Sequence, residues 1–211
     1  MTNSLYHEKQ KLGHCAVHAL NNLFQEQWVD YDEMCEYARE LHYADSPSCL
    51  SVNPYMSIIP YMGYFDISVI IKALASKRKG TISEHITAAA GIDALELSVP
   101  PDPAAAARAG ASPPGEAGEM EEGEAGCVGF IVNVQQDSFL GLYSGRHWFS
   151  VLREPVTATE LEPERRAAYW NLDSKLPRPI CFASDSQLKT FLKDLINKQS
   201  AHIFMVSHFR R

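Results

Sequence analysis

The sequence from Cys15 to Gln27 reads CAVHALNNLFQEQ and has the apolar spacing of an amphipathic helix. One stripe along the predicted helix holds Ala16, Leu20, Leu23 and Gln27, with Val17 and Phe24 beside it. Because Gly13 lies just upstream, Cys15 is predicted at the helix N-terminus. Unpaired N–H groups there favour a thiolate over a thiol and make Cys15 a candidate nucleophile. The alternative is a small buried core residue, and position alone does not separate the two.

The rest of the chain alternates between helix and strand patterns. Asp30 and Glu33 predict a capping box for a helix from Tyr31 to His42. Two further helices are predicted, from Ile67 to Lys79 after Asp66 and from Ser184 or Asp185 onward. Strand patterns occupy Cys127–Val134, Arg146–Arg153, Ala167–Asp173 and Ala201–Ser207. Helices first and strands later predict an α+β fold, with helices packed on a mostly antiparallel sheet.

One segment differs in composition from the rest of the chain. Residues 99–126 consist mainly of Pro, Ala, Gly and Glu, and they carry five of the seven net negative charges. Such a segment buries too little apolar surface to offset its ordering entropy. We therefore expect one domain spanning residues 1–211, with a disordered insert at 99–126.

The composition also excludes several classes of protein. The number of cysteines, five, is odd and no two have C-x-x-C spacing, which argues against a disulfide framework. The first ten residues are too polar for a signal peptide, and no apolar run is long enough to span a membrane. No basic patch indicates nucleic-acid binding. We expect a reduced, monomeric protein of the cytoplasm, without excluding the nucleus, and without metal or cofactor.

A catalytic cysteine needs a base that a third group orients. If Arg146–Leu152 pairs antiparallel with Ala168–Asp173, with Leu152 opposite Ala168, then His147 lies directly opposite Asp173 on one sheet face. This register predicts a histidine–carboxylate pair, with Asn171 on the same face and Trp148 on the other.

Two other histidines, His14 and His18, have the i, i+4 spacing of zinc ligands on a helix. No third ligand stands at a matching spacing, so a metal site is not expected. His18 is an alternative local base, although a structural role is the stronger prediction. Gln10 precedes Cys15 by five residues, and its amide is a candidate oxyanion donor together with the Cys15 N–H. A surface glutamine is the alternative.

Five separated blocks together resemble the Josephin family of deubiquitinating cysteine proteases, particularly its short, stand-alone members. The resemblance extends from about Tyr6 to Val206. The blocks are YHEKQ at Tyr6–Gln10, CAVHALNN at Cys15–Asn22, GYFDISVI at Gly63–Ile70, HW at His147–Trp148 and NLDSK at Asn171–Lys175.

The resemblance implies a papain-like fold with a helical subdomain that carries a mobile helical arm at about 30–60. It implies cleavage after the C-terminal glycine of ubiquitin, with ubiquitin and its conjugates as partners. Matched by position, Cys15 is the nucleophile, His147 the base, Asp173 the orienting residue and Gln10 the oxyanion donor. In the arm, Tyr55, Met56, Ile58 and Ile59 are candidates for contact with ubiquitin or for core packing.

Two other functions stay open at this level. One is a ubiquitin-binding module with little or no turnover. The other is a different Cys–His–Asp enzyme, such as an acyltransferase or an amidase, which would share the residue order but not the flanking blocks.

Overall fold

The described part of the chain is a six-stranded antiparallel sheet with helices on both faces. The computed structural model describes residues 5–46, 52–57, 64–95, 97, 127–137, 144–155 and 167–208. The helices are α1 (Cys15–Phe24), α2 (Tyr31–Asp45), α3 (Ile67–Ser76), α4 (Ala89–Ala94) and α5 (Asp185–Gln199). The strands are β1 (Thr81–Ile86), β2 (Cys127–Asp137), β3 (Ser144–Pro155), β4 (Ala167–Asn171), β5 (Ile180–Phe182) and β6 (His202–Ser207). The predicted α+β class is confirmed.

The sheet has the strand order β1-β6-β2-β3-β4-β5, and all neighbouring strands are antiparallel. Alternate residues of β3 enter two different cores. Trp148 packs with α1, α2 and α3, whereas Phe149 and Val151 pack with α4 and α5. Among the described residues, no helix combines the length and apolarity needed to cross a bilayer.

The predicted helix starts are confirmed by their caps. The Asp30 carboxylate accepts the Glu33 N–H at 2.9 Å, and the Glu33 carboxylate accepts the Asp30 N–H at 3.1 Å. Asp66 begins α3 by accepting the Ser68 N–H at 2.9 Å. Ser184 begins α5 in the same way. These contacts are local, which is why sequence spacing predicts them well.

The strand register differs from the predicted one by two residues. Leu152 pairs with Trp170 and not with Ala168, because β3 continues to Pro155 and leaves a shorter connection to Ala167. An even shift keeps every side chain on its face, since successive residues alternate. His147 and Asp173 therefore still share a face, as diagonal rather than direct neighbours.

A glycine lets α1 approach the sheet at the β2 bulge. Gly129 has φ +152°, a backbone conformation that side-chain-bearing residues rarely adopt. A Cβ there would lie 2.2 Å from the Val151 carbonyl oxygen and 2.9 Å from the Leu23 side chain. The close contact fixes α1, and hence Cys15, against β2 and β3.

Some features were not predicted, and others lie outside the described residues. Strands β1 and β5 and helix α4 had no sequence prediction, and α1 ends at Phe24 rather than near Gln27. Of the predicted helical arm, the described residues contain one helix, α2. The whole 99–126 insert, together with Ile58 and Ile59, falls outside the described part of the chain.

Candidate active site

Cys15 is the first residue of α1 and is 3% exposed. Burial raises the pKa of the Cys15 thiol, and the N–H groups of Trp148, Ala16 and Cys15 together with the Lys175 charge oppose this only in part. The predicted preference for a thiolate is therefore wrong for the unliganded protein. The helix start does supply N–H donors that stabilise the thiolate, but burial of the sulfur away from water destabilises the thiolate by more.

His147 lies on β3 immediately before Trp148, and it is 2% exposed. Its Nε2 is 2.8 Å from Asp173 Oδ1. The same Asp173 oxygen accepts the Lys175 N–H at 2.9 Å. Because Asp173 takes Nε2, the Nδ1 atom is the ring nitrogen left for another partner. The structure thus brings together the predicted histidine and carboxylate.

The environment of Asp173 keeps its carboxyl ionised. Burial raises the pKa of this carboxyl, but the hydrogen bond and charge of His147, with contributions from Lys175, bring the pKa below its ordinary value. Asn171 binds the main chain of Asp173. Its Oδ1 accepts the Asp173 N–H at 3.0 Å, so Asn171 fixes the backbone of the residue that orients His147.

Gln10 lies in the extended segment that precedes α1. Its backbone N–H donates to the Ser174 carbonyl at 2.9 Å, which places the segment beside the Asp173 turn. Its side-chain Nε2 donates to the Leu12 carbonyl at 3.1 Å, and Oε1 is buried with no partner among the described residues. The Gln10 amide donor is therefore bonded to the Leu12 carbonyl and is not placed as an oxyanion donor beside Cys15.

The two other histidines of the sequence analysis, His14 and His18, contact different partners. His18 Nδ1 is 2.6 Å from Glu8, and its Nε2 accepts the Lys11 N–H at 3.2 Å, so both ring nitrogens are engaged. The His14 ring stacks on Tyr31, with centroids 4.3 Å apart. Within the described ranges, no three His, Cys, Asp or Glu side chains could hold a metal ion. His18 has the structural role that the sequence favoured.

A cleft of about 610 Å³ is lined by Trp148 but not by Cys15, His147 or Asp173. Trp148 is its one link to the candidate site among the lining residues, because the Trp148 N–H faces the Cys15 sulfur. The other lining residues come from the 54–67 region, β2, β3 and β6, and include Met56, Phe65, Asp66, Ile67, Asn133, Arg146, His202 and Phe204. Tyr55 and Met56 also pack against the core, as the packing alternative expected.

Sequence reasoning missed the buried polar residues behind the site. Asn21 and Asn22 were treated as part of an amphipathic helix, yet both are buried, as is His18. The available signal was two adjacent asparagines and a histidine inside an otherwise apolar run. The Lys175 charge and the Trp148 N–H were missed as well, because no local pattern shows that they face the Cys15 sulfur.

The fold and the site define a papain-like α+β protein with a cysteine at a helix start and a histidine–aspartate pair on the adjoining sheet. The Josephin family model matches residues 10–94 and 111–207. The chain belongs to the Josephin family, as its sequence motifs predicted.

Similar proteins come from animals and plants. A Josephin-like protein of Drosophila melanogaster is 28% identical over 198 residues, covering 91% of this chain and 69% of that protein. Josephin-2 of Mus musculus is 26% identical over 215 residues, covering 96% and 86%. A Josephin-like protein of Arabidopsis thaliana is 25% identical over 196 residues. That match covers 90% of this chain but 44% of the plant protein, so the chain spans less than half of this relative's length.

Proposed function

We propose that the protein is a thiol-dependent deubiquitinase that hydrolyses peptide or isopeptide bonds after the C-terminal glycine of ubiquitin. The observation that supports this most directly is the 2.8 Å contact of His147 with Asp173, beside a Trp148 N–H that faces the Cys15 sulfur. Membership of the Josephin family supports ubiquitin as the substrate class.

In this proposal, Cys15 and His147 form and hydrolyse a thioester. His147 Nδ1 takes the thiol proton, and the sulfur attacks the glycine carbonyl carbon. The carbon–nitrogen bond then breaks, and the imidazolium gives that proton to the leaving amine. Water attacks the resulting thioester while His147 takes its proton, which releases the ubiquitin carboxylate and restores the Cys15 thiol.

The base is necessary because burial raises the pKa of the Cys15 thiol, so the proton must be taken before the sulfur attacks. Asp173 prepares the base by binding Nε2, which keeps the proton on that nitrogen and leaves Nδ1 free to accept. The carboxylate also stabilises the imidazolium that forms next to the thiolate. Asn171 supports this arrangement through the Asp173 N–H.

The tetrahedral oxyanion would be bound by the Cys15 N–H and the Gln10 amide. In the described state, Gln10 Nε2 donates to the Leu12 carbonyl. The proposal therefore includes a rotation of the Gln10 side chain toward the substrate when the cleft is occupied.

The cleft beside Trp148 is the proposed path of the ubiquitin C-terminal peptide. Trp148 lines it and also directs its N–H at the Cys15 sulfur, and the cleft combines apolar walls from Met56, Phe65 and Ile67 with the charged groups Asp66 and Arg146. An open groove can accept an extended chain, whereas a small-molecule site encloses most of its ligand.

A second candidate is a ubiquitin-binding module with weak turnover. The observations that favour it are the raised pKa of the Cys15 thiol and the use of the Gln10 amide by Leu12. Hydrolysis of ubiquitin that carries a fluorogenic amide on its C-terminal glycine separates the two. A deubiquitinase releases the fluorophore with multiple turnovers, whereas a module that only binds ubiquitin releases none.

Replacing Gln10 by alanine will lower kcat by roughly a hundredfold with little change in KM, the usual effect of losing one oxyanion donor. The donor acts on charge that develops in the transition state and not on substrate docking. Steady-state kinetics on the fluorogenic substrate will measure the effect. Gln199→Ala, at an exposed glutamine at the end of α5, is the matched control. A raised KM with unchanged kcat would show instead that Gln10 is a substrate contact.

Asp173→Ala will lower kcat by roughly a hundredfold or more, because the imidazole loses both its orienting partner and a compensating charge. Asp173→Asn will keep more activity, since an amide oxygen still accepts the Nε2–H. Asn171→Ala will have a smaller effect, because Asn171 acts only through the Asp173 backbone. Asp194→Ala on α5 controls for loss of an exposed carboxylate. If Asn171→Ala is the most damaging change, Asn171 is the orienting residue.

Stability across pH provides an independent measure of the same pair. The pKa of Asp173 is lowered in the folded protein, so its carboxylate stabilises the fold fully above the unfolded pKa of about 3.9. That contribution is lost as the pH falls through the lower, folded pKa. The free energy of unfolding of the wild type relative to Asp173→Asn will therefore be constant near neutral pH and decrease below about pH 4. Urea unfolding of both proteins across this range will measure it.

A further inference from the structure

Helix α1 presents two buried polar side chains to the segment that carries Gln10. Asn22 is 0% exposed and His18 is 8% exposed, one helical turn apart on the same face. Burying such groups is costly unless they are hydrogen-bonded. Both are hydrogen-bonded, and their partners include Glu8 and Lys11, which lie before and after Gln10 in the chain.

His18 and Asn22 hold the segment before and after Gln10. Asn22 Oδ1 accepts the Glu8 N–H at 2.6 Å, and His18 Nε2 accepts the Lys11 N–H at 3.2 Å. An Nε2 that accepts a hydrogen bond carries no proton, so the ring proton is on Nδ1, which donates to the Glu8 carboxylate at 2.6 Å. Glu8 receives further hydrogen bonds from Tyr6 and Asn21, so its carboxylate is fixed as well.

The same helix also holds the strand end that leads to Asp173. Asn22 Nδ2 donates to the Leu172 carbonyl at 2.9 Å. The two segments contact each other through Gln10 N–H to the Ser174 carbonyl, at 2.9 Å, and through His7 Nε2 and the Asp173 carbonyl oxygen, at 3.0 Å. One helix therefore carries Cys15 at its start and fixes the neighbours of Gln10 and Asp173 along its side.

We propose that His18 and Asn22 are positioning residues that set Gln10 and Asp173 relative to Cys15. This inference rests on the proposed function, because it deepens the roles given there to Gln10 and Asp173. An apolar pair of similar size would fill the same space, but it would leave the Glu8 and Lys11 N–H groups without acceptors. Loss of these hydrogen bonds would change the rate measurably, because a misplacement of about 1 Å at a reacting group costs roughly a hundredfold in rate.

His18→Gln, tested alone and together with Gln10→Ala, measures this positioning. His18→Gln removes the ring that links Lys11 to Glu8. It will lower kcat roughly tenfold, less than full misplacement would, and will leave KM close to the wild-type value. In the Gln10→Ala background the same change will cost little more, because His18 acts through the residue already removed.

The matched control is His14→Gln, four residues earlier, at the N-cap of the same helix. The His14 side chain stacks on Tyr31 and makes no hydrogen bond with the 6–11 segment among the described residues. Its kcat will remain close to the wild-type value. Losses from His18→Gln and Gln10→Ala that multiply in the double variant would overturn the inference, as would wild-type kcat in His18→Gln.

Hydrogen–deuterium exchange of the wild-type protein tests the same contacts without activity or mutation. The amides of Glu8, Gln10 and Lys11 will exchange slowly although they lie outside helices and strands. Fast exchange at Glu8 and Lys11 would overturn the inference. This test uses the wild-type protein, so it holds even if the His18→Gln variant does not fold. Protected amides in a protein without ubiquitin turnover would instead count against the proposed function alone.

Discussion

Cys15→Ala will abolish covalent labelling by ubiquitin with a thiol-reactive group at its C-terminus, and it will lower turnover by roughly 10⁴-fold or more. The sulfur is the only atom in the proposed site that forms a bond with the substrate. No neighbouring group replaces a missing nucleophile, whereas a missing base or donor leaves partial function. Mass spectrometry of the adduct will locate the labelled residue.

The cysteine at position 181 provides the control for this result. Cys181 is free and exposed, so a nonselective reagent would reach it more readily than the buried Cys15. Cys181→Ala will therefore keep full labelling by the ubiquitin probe. If the Cys15→Ala protein still forms an adduct at Cys181 or Cys35, then ubiquitin docking does not direct its C-terminus to the α1 start, and the nucleophile must be reassigned.

His147→Ala will lower kcat by roughly 10³-fold, within the range for loss of a general base. The effect is large because burial raises the pKa of the Cys15 thiol, so little thiolate forms unless a base takes the proton. Affinity for ubiquitin will change little, since the imidazole is buried and the proposed docking surface is the cleft beyond Trp148. Calorimetric titration of ubiquitin into a Cys15→Ala protein, with and without His147→Ala, will measure this affinity.

His85→Ala is the matched control for loss of a histidine from the sheet. His85 lies on β1, separated from β4 by three strands. Its contacts are with His202 and Phe204, which line the cleft, so they bear on docking and KM rather than on proton transfer. Its substitution will leave kcat near the wild-type value. Retention of most activity in His147→Ala would contradict the assignment and return His18 as the candidate base.

The local features of this fold were predictable because their causes lie within a few residues. The capping box of α2 needs only Asp30 and Glu33 at the right spacing, and the start of α3 needs only Asp66. The edge strand β1 was not predictable in this way. Its residues are mostly exposed and lack a clear apolar alternation, so its strand conformation depends on pairing with β6, far along the chain.

In the candidate site, too, local patterns predicted some features and only the folded chain shows the others. The alternation of side chains in a strand was enough to place His147 and Asp173 on one face, even with a register that was wrong by two residues. Alternation could not choose between Asp173 and Asn171, which share that face. Only the positions of β3 and the turn after β4 bring the Asp173 carboxylate, and not the Asn171 amide, to His147 Nε2.

The sequence by itself determined the helix starts, the antiparallel strands, and the residue types that suit cysteine-protease chemistry, since these follow from local spacing and composition. The tertiary structure alone decided the ionisation of Cys15, because burial is a property of the packed chain and outweighs the donors at the helix start. It also decided the role of Asn22. In the helix pattern, Asn22 is only a polar residue within an apolar run. In the folded chain, its buried amide binds the Glu8 N–H and the carbonyl of Leu172, which is 150 residues away in sequence.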